Sequence, residues 1–427
     1  MKYFGTDGIR GIVGQKINKR LIEKIAKAVV CFFKKFKLKK VLLIGQDSRI
    51  SSDYILSVFS SILLTNGIEI ENIGICSSPC IAYLAKKFDY PLAMMISASH
   101  NTSEYNGIKF FNSLGEKISE KTELILENFI DHNHYKNSNE FSRLIDASNL
   151  KNFYIAFLKS IKHFDFPIII DCANGGATDI CKSVFNKSKL INNHPNGSNI
   201  NANAGCTNIE FLRSLCLKEQ KIGIALDGDA DRINIVDERG NIVAGDKILY
   251  LLSKFFLIPS DKIVGTIYSN SGLEKSLKTR NIELIRANVG DKNVYEKMKK
   301  INADIGGENA GHIILRQYLN TGDGLLVGIV VCNILNISKL SLSELLNDYK
   351  EFYQATFNIK SDSKFYPNEN LRLLIDKFKL DGARIIIRAS GTEPIIRLMV
   401  ECEKKEKAED ILNKLKIYIC TKIVKKG

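Results

Sequence analysis

No run in the 427-residue chain approaches the roughly 18 consecutive apolar residues that a membrane-spanning helix needs, so a helical membrane protein is not expected. Neither G-x-G-x-x-G nor G-x-x-x-x-G-K-[ST] occurs, which removes the dinucleotide and P-loop fingerprints as readings. The ten cysteines are scattered, with no C-x-x-C and no Cys/His metal spacing. Reduced thiols fit that pattern better than a disulfide framework. The opening MKYFGTDGIRG meets Gly and Asp too early for a secretory leader, and a soluble, cytoplasmic protein is expected. Aromatics interleaved with lysine are missing too, and a single-strand nucleic-acid platform would need them. The net charge of +14 therefore reads as a solvated basic surface that favours small anions.

What is present is an ordinary globular composition, 45% hydrophobic and 25% charged, in a chain long enough for two to four domains. Leu21, Ile22, Ile25, Ala26 and Val29 recur at helical spacing, which predicts an amphipathic helix. Val41–Ile44 then reads as a buried strand, with Gln46, Asp47, Ser48, Arg49 and Ser51 as its following turn. Such helix, strand and loop alternation indicates α/β layers. A second unit opens with the strand Pro167–Ile170 and the turn DCANGGAT, and its strand Ile222–Leu226 runs into DGDADR. A third starts near Gly245, with the strand Val264–Ile267, the turn Ser269–Gly272, the loop GGENAGH, and TGDG ahead of a helix over Leu325–Leu335. The tail differs. Strands Ala383–Ile387 and Ile395–Glu401 flank RASGTEP, and Ala408, Ile411, Leu412, Leu415 and Ile419 make a closing helix, which together read as a small α+β domain.

Four loops carry chemistry. Ser99 follows the apolar run Leu92–Ile96 beside His100, with Lys109 ten residues on; a serine becomes a nucleophile only when a base, metal or field activates it. The same residues also suit a plain Ser/Asn-rich turn. Asp227, Asp229 and Asp231 alternate in one Gly-containing loop. Three carboxylates this close repel unless a cation sits among them, and all-oxygen ligands suit Mg²⁺. Arg232 would face the anion that this cation holds. Arg388, Ser390, Gly391 and Thr392, with Arg397 nearby, resemble a phosphate cradle of hydroxyls, guanidinium and backbone N–H groups. Glu308, Asn309 and His312 can present polar groups to hydroxyls, and Arg10 stands on a glycine-rich loop. Acids, serine and cradle together point to phosphoryl transfer.

KYFGTDGIRG, SASHN with NGIKFF, DGDADR, VGDKNV, GGENAGH, TGDG and RASGTEP, in that order over essentially the whole chain, resemble the α-D-phosphohexomutases, most closely the bacterial branch acting on glucosamine phosphate. The resemblance implies three similar α/β domains with mixed sheets plus a smaller C-terminal α+β domain around a central cleft. Their expected boundaries are 1–150, 151–245, 246–361 and 362–427. It implies Ser99 as a phosphoserine required for activity, and one Mg²⁺ held by Asp227, Asp229, Asp231 and a phosphoserine oxygen. Arg10, His100, Lys109 and Arg232 would surround the transferred group, Glu308, Asn309 and His312 would read the sugar, and the loop from Arg388 to Thr392 would hold the other phosphate. The implied reaction interconverts glucosamine 6-phosphate and glucosamine 1-phosphate through a 1,6-bisphosphate, towards UDP-N-acetylglucosamine and peptidoglycan. The same mechanism on mannose or glucose phosphates is the alternative. A homodimer is compatible with the resemblance.

Departures from the family pattern are Thr102 for Pro, Lys292 for Arg, and Asn309-Ala310 for Gln-Ser; the last of these bears on sugar choice. Two other classes make distinct predictions. A nucleic-acid binder would show steep salt dependence without Mg²⁺ dependence, and a phosphatase using Asp227 as nucleophile would tolerate Ser99→Ala.

Overall fold

The computed structural model describes residues 2–132, 135–256, 261–360, 368–389 and 395–422. The chain divides into two compact units, Met1–Ser269 with Ile282–Asn347, and Asn270–Asn281 with Asp348–Gly427.

The first unit holds three mixed sheets. In the first, β1 (Ile9–Ile12), β2 (Val41–Gln46), β3 (Glu69–Ile75), β4 (Ala93–Ile96), β5 (Tyr105–Phe111) and β6 (Leu144–Asp146) lie in the order β1-β5-β4-β2-β3-β6. Strands β4, β2, β3 and β6 run parallel, while β5 pairs antiparallel with β4 and β1 antiparallel with β5. All six residues of β2 are buried, because helices cover both faces of a parallel sheet and suppress alternation. One of those helices, Lys19–Phe36, starts where the Asn18 side chain accepts from Leu21 N. It buries Leu21, Ile22, Ile25, Ala26 and Val29, the stripe that the sequence spacing predicts.

Strands β7 (Ile169–Asp171), β8 (Lys189–Ile191), β9 (Gly223–Leu226), β10 (Ile233–Val236) and β11 (Ile242–Val243) form the second sheet, in the order β11-β10-β9-β7-β8. Here β9 and β10 pair antiparallel, Leu226 opposite Ile233, so the acidic loop 227–232 is a hairpin connection. The third sheet is made by β12 (Lys262–Thr266), β13 (Glu283–Ala287), β14 (Ile305–Gly307) and β15 (Ile313–Leu315). Its order is β13-β12-β14-β15.

In the second unit, β16 (Tyr353–Lys360), β17 (Arg384–Ala389) and β18 (Ile395–Cys402) make an antiparallel sheet in the order β16-β18-β17. Leu371 and Phe378 of the helix Glu369–Leu380, and Leu415 and Ile419 of the helix Lys405–Lys422, close its core against Leu398 and Val400. This is the small α+β arrangement expected of the tail. The segment Asn270–Asn281 joins it: Asn270 Nδ2 donates to Phe352 O at 2.8 Å, and Phe352 N donates back to Asn270 Oδ1 at 2.9 Å.

All ten cysteines are free thiols. Among the described residues, no helix is long and apolar enough to cross a membrane.

A buried carboxyl makes the stability of the first unit pH-sensitive. Asp323 caps the helix Gly324–Ser338, accepting from Leu326 N, and also accepts from Tyr154 Oη at 2.8 Å. Burial nevertheless raises its pKa from 3.8 to about 6. Between those values the folded chain holds a proton that the unfolded chain has released, so this contribution to stability is present at pH 4 and lost as pH rises through 6. The span corresponds to about 3 kcal/mol. Asp323→Asn, which keeps an acceptor for the cap, is expected to gain on the parent steadily from pH 4 to 7 in urea denaturation. A pH-independent difference would contradict this origin.

Candidate active site

Strand β4 ends at Ile96, and the chain turns sharply to present Ser99. Its φ is +52°, in the left-handed region that non-glycine residues adopt only when the surroundings impose it. Ser99 N donates to Ser97 Oγ at 2.8 Å, which closes the turn. Outward, Ser99 Oγ donates to Asp227 Oδ2 at 2.5 Å and lies 3.4 Å from His100 Nδ1. The serine loop and the acidic hairpin, 128 positions apart in sequence, therefore meet through this hydroxyl.

Asp227, Asp229 and Asp231 are buried, and each offers an oxygen within 4.8 Å of the others. Ser78 Oγ and Lys109 Nζ donate to Asp229 Oδ2, the lysine at 2.6 Å. Lys109 also reaches Asp231 Oδ2 at 3.1 Å and Asp7 Oδ2 at 2.9 Å. Burial first, then Asp231 and Asp229, pushes the Asp227 carboxyl up to about 7. Burial raises Asp229 and Asp231 as well, but Lys109, joined by Ser78 at Asp229 and by His312 and Lys117 at Asp231, outweighs it and leaves both below the ordinary carboxylate value. On Lys109, desolvation works against the charge, and the attraction of Asp229 and Asp231 prevails.

This donor set fits a hard divalent cation. Among the described residues, Asp229 Oδ1 and Asp231 Oδ1 have no hydrogen-bond partner, a costly state for buried carboxylate oxygens unless a cation faces them. Asp227 titrating near neutrality shows the same deficit, since three carboxylates cannot all stay ionised without added positive charge.

Positive charge surrounds the serine. Arg10 sits on β1, in register with Gly107 of β5. A Cβ at 107 would come within 2.9 Å of the Arg10 side chain, so the glycine makes room for it. Sequence reasoning puts Arg10 on a tight loop; it stands instead in a strand, since β1 pairs with β5 directly after the Gly5–Gly8 turn. Burial lowers the Arg10 pKa, whereas Asp231 and Asp227 outweigh burial and raise that of Arg232. Between these cations His100 falls to about 4, through burial first, then Arg232 and Arg10. Its imidazole is therefore neutral at pH 7.

Matches to known proteins cover this architecture from end to end. Residues 1–137 match the phosphoglucomutase/phosphomannomutase α/β/α domain I, 244–352 match domain III, and 369–416 match the C-terminal domain. The chain belongs to the phosphoglucomutase/phosphomannomutase family. Its relatives in this family include the phosphoglucosamine mutases of Dictyoglomus turgidum, 37% identical with 99% of this chain and 98% of that one covered, and of Bacillus subtilis, 36% identical with 97% of both covered. Among solved structures of the family fold, a putative phosphomannomutase from Thermus thermophilus superposes with a TM-score of 0.79 at 18% identity, covering 97% and 98% of the two chains. The Aspergillus fumigatus N-acetylphosphoglucosamine mutase, solved with GlcNAc-6P and magnesium, gives 0.67 at 16%, covering 97% and 94%.

The remaining family motifs are placed as follows. Glu308 Oε1 accepts from Gly290 N at 2.9 Å, tying GGENAGH to VGDKNV. Asn309 is exposed, but its Oδ1 accepts from Asp246 N at 3.2 Å, so its carbonyl is engaged with the helix Gly245–Phe255. His312 is buried; its Nε2 accepts from Gly322 N at 3.0 Å, and its Nδ1 lies 3.7 Å from Asp231 Oδ1. Arg388 and Arg397 are exposed and stand opposite each other on β17 and β18 of the second unit. Ser390, Gly391 and Thr392 lie outside the described residues.

Three charged groups at this site carry no role in the sequence reading. Lys117 pairs with Asp7 and Asp291, and lies 4.0 Å from Asp231 Oδ2. Burial raises Asp291, but Lys117 and His312 outweigh it and hold its pKa near 2. Asp7 and Asp291 stand in family motifs, KYFGTDGIRG and VGDKNV, and those motifs are the signal that marks them; nothing local marks Lys117.

The departure at Lys292 leaves a trace. Lys292 Nζ is 2.5 Å from the Oε1 atom of buried Glu123, and Glu123 Oε2 has no hydrogen-bond partner among the described residues. A guanidinium can serve both oxygens where an ammonium serves one. Lys292 also lines a cavity of about 260 Å³, which gives a larger head group room. Lys292→Arg is expected to raise unfolding stability by about 1 kcal/mol; an unchanged or lower denaturation midpoint would contradict this.

Proposed function

We propose that the chain interconverts glucosamine 6-phosphate and glucosamine 1-phosphate, with Ser99 as the carrier of the phosphoryl group. The observation that carries this reading is the hydrogen bond from Ser99 Oγ to Asp227, inside a triad of buried acids that feels the charges of Arg10 and Arg232. Those features are what a phosphoseryl group needs: a shared cation site, two guanidinium groups for its oxygens, and a rigid turn.

Asp227, Asp229 and Asp231 would hold one Mg²⁺. Bound there, it supplies positive charge against the oxygens of the phosphoryl group in flight. Phospho-Ser99 gives its phosphoryl group to O1 of the 6-phosphate: the P–Oγ bond breaks, the P–O1 bond forms, the O1 proton leaves to a base, and Ser99 Oγ takes up a proton. The resulting 1,6-bisphosphate turns over, Ser99 Oγ gives up its proton and takes the 6-phosphoryl group as the P–O6 bond breaks, and O6 regains a proton. Proton exchange falls to His100 or Lys109, and His100 is the one held neutral. Arg10 and Arg232 hold the oxygens of the migrating group. Glu308 and His312 bound the sugar, and the loop from Arg388 to Thr392 binds the phosphate that is not being transferred. On this reading the four domains are 1–150, 151–245, 246–361 and 362–427, and the reaction belongs to the cytoplasm.

The same residues support a mutase acting on mannose or glucose phosphates. The Asn309 engagement with Asp246 favours keeping that alternative, because an amide carbonyl engaged in capping a helix is not free to read a sugar amine. Parallel assays with glucosamine, mannose and glucose 6-phosphates decide it. Preference for glucosamine phosphate by kcat/KM is expected, and a preference for either neutral sugar overturns the assignment.

A further inference from the structure

Two buried donors converge on the peptide carbonyls either side of His100. Asn201 Nδ2 donates to Ser99 O and to Asn101 O, both at 2.8 Å. Arg49 Nη2 donates to the same two carbonyls, at 3.3 Å to Ser99 O. Asn201 is 6% exposed and Arg49 2%, so no solvent replaces either donor. Arg49 is itself fixed by its fully buried ion pair with Asp47, and Asn201 N donates to Ala173 O at 2.9 Å.

The clamp also registers the serine loop against the acidic hairpin. A Cβ at Gly228 would come within 2.7 Å of Ser99 O and 2.8 Å of Asn201 Nδ2. Only a glycine lets the two loops approach this closely. Behind it, Gly176 N donates to Gly228 O at 2.8 Å, and a Cβ at Gly175 would fall 2.4 Å from the same oxygen. The turn DCANGGAT therefore serves as the floor beneath Gly228.

We propose that Asn201 and Arg49 are positioning residues for Ser99: by holding the carbonyls of 99 and 101 they keep residue 99 in its left-handed conformation and its hydroxyl on Asp227. Neither residue touches the transferred group. This rests on the reading of Ser99 as the phosphoryl carrier. A nucleophile displaced by about 1 Å loses on the order of 100-fold in rate, and such a loss enters kcat with KM unchanged, since substrate contacts are intact.

The test compares Asn201→Ala, Asn201→Asp and Arg49→Lys with Tyr90→Phe, a control in which the mostly buried Tyr90 loses its hydrogen bond to Glu71 of β3, away from the serine loop and the acidic hairpin. Each is measured for melting temperature, kcat, KM and the fraction of Ser99 phosphorylated by peptide mass spectrometry. Per phosphorylated enzyme, Asn201→Ala is expected to lose about 100-fold in kcat at unchanged KM. Asn201→Asp loses more, because it sets an acceptor against two carbonyls. Arg49→Lys, which keeps the charge beside Asp47 and serves in their place if the Asn201 variants do not fold, shows the same pattern at smaller size. The Tyr90→Phe control keeps kcat despite a lowered melting temperature. Retained kcat in the folded clamp variants, a loss expressed in KM, or an equal kcat loss in Tyr90→Phe overturns the proposal. A parent protein without turnover and without phosphate on Ser99 overturns the functional reading itself, and the proposal falls with it.

Discussion

Ser99→Ala is expected to lower mutase turnover by about 10⁴-fold or more, because the group that accepts and returns the phosphoryl is gone and nothing nearby substitutes for it. Folding should survive. Ser99 is buried, but the substitution removes one oxygen, the turn around it is held through backbone carbonyls, and Asp227 loses only a hydrogen bond from a hydroxyl. The parent should carry one phosphate on the peptide containing Ser99, and the variant none. Release of inorganic phosphate from the sugar phosphate, undiminished in Ser99→Ala, would point to a phosphatase with Asp227 as nucleophile. Steep salt-dependent binding to DNA or RNA, without sugar-phosphate turnover, would instead favour a nucleic-acid protein.

The second large effect concerns the acidic hairpin. Asp229→Asn is nearly isosteric and can still accept from Ser78 and Lys109, so its melting temperature should change little. It removes one negative charge and one ligand from a triad that already lacks donors for two oxygens. Loss of an outer partner of a metal ligand costs about 10–100-fold in affinity, and loss of a ligand costs at least about that much. Titration of the protein with Mg²⁺ or Mn²⁺ by calorimetry should show binding weakened by about 100-fold or more. Chelation of the parent should abolish turnover, and added Mg²⁺ should restore it. Equal affinity in parent and Asp229→Asn would mean that the cation, if bound, is held elsewhere.

The legible parts of the fold are those with local causes. The stripe Leu21, Ile22, Ile25, Ala26 and Val29 is periodic and faces the core. The apolar run ahead of Ser99 is β4, and the run ahead of Asp227 is β9. Strand β10 is not legible, because four residues after an acidic loop carry little signal; it exists because Ile233 and Ile235 find β9 beside them. Arg10 reads as a loop residue for the same reason, since strand β1 is defined by its pairing with β5.

The site divides along the same line. Ser99, Asp227, Asp229, Asp231, Arg10 and Arg232 are visible in sequence because density of charge and glycine in a short stretch is itself a signal. Lys117, Asn201 and Arg49 act on atoms far away in the chain, Asn201 on carbonyls about a hundred positions off, and no local pattern announces that. His312 shows the contrast within one residue. Its motif suggests a sugar contact, while its ring accepts from the backbone of Gly322 in the TGDG loop and faces Asp231.

The chain by itself determined its chemical vocabulary: a serine at a strand end, three alternating acids, a glycine-containing loop that starts with an arginine, and alternating helices and strands to carry them. Tertiary structure alone decided which of these touch. Hydrogen bonds and ion pairs act over a few ångströms, whereas the partners here are separated by tens to hundreds of residues, so only packing of the sheets could bring Ser99 to Asp227 and set Asn201 behind them both.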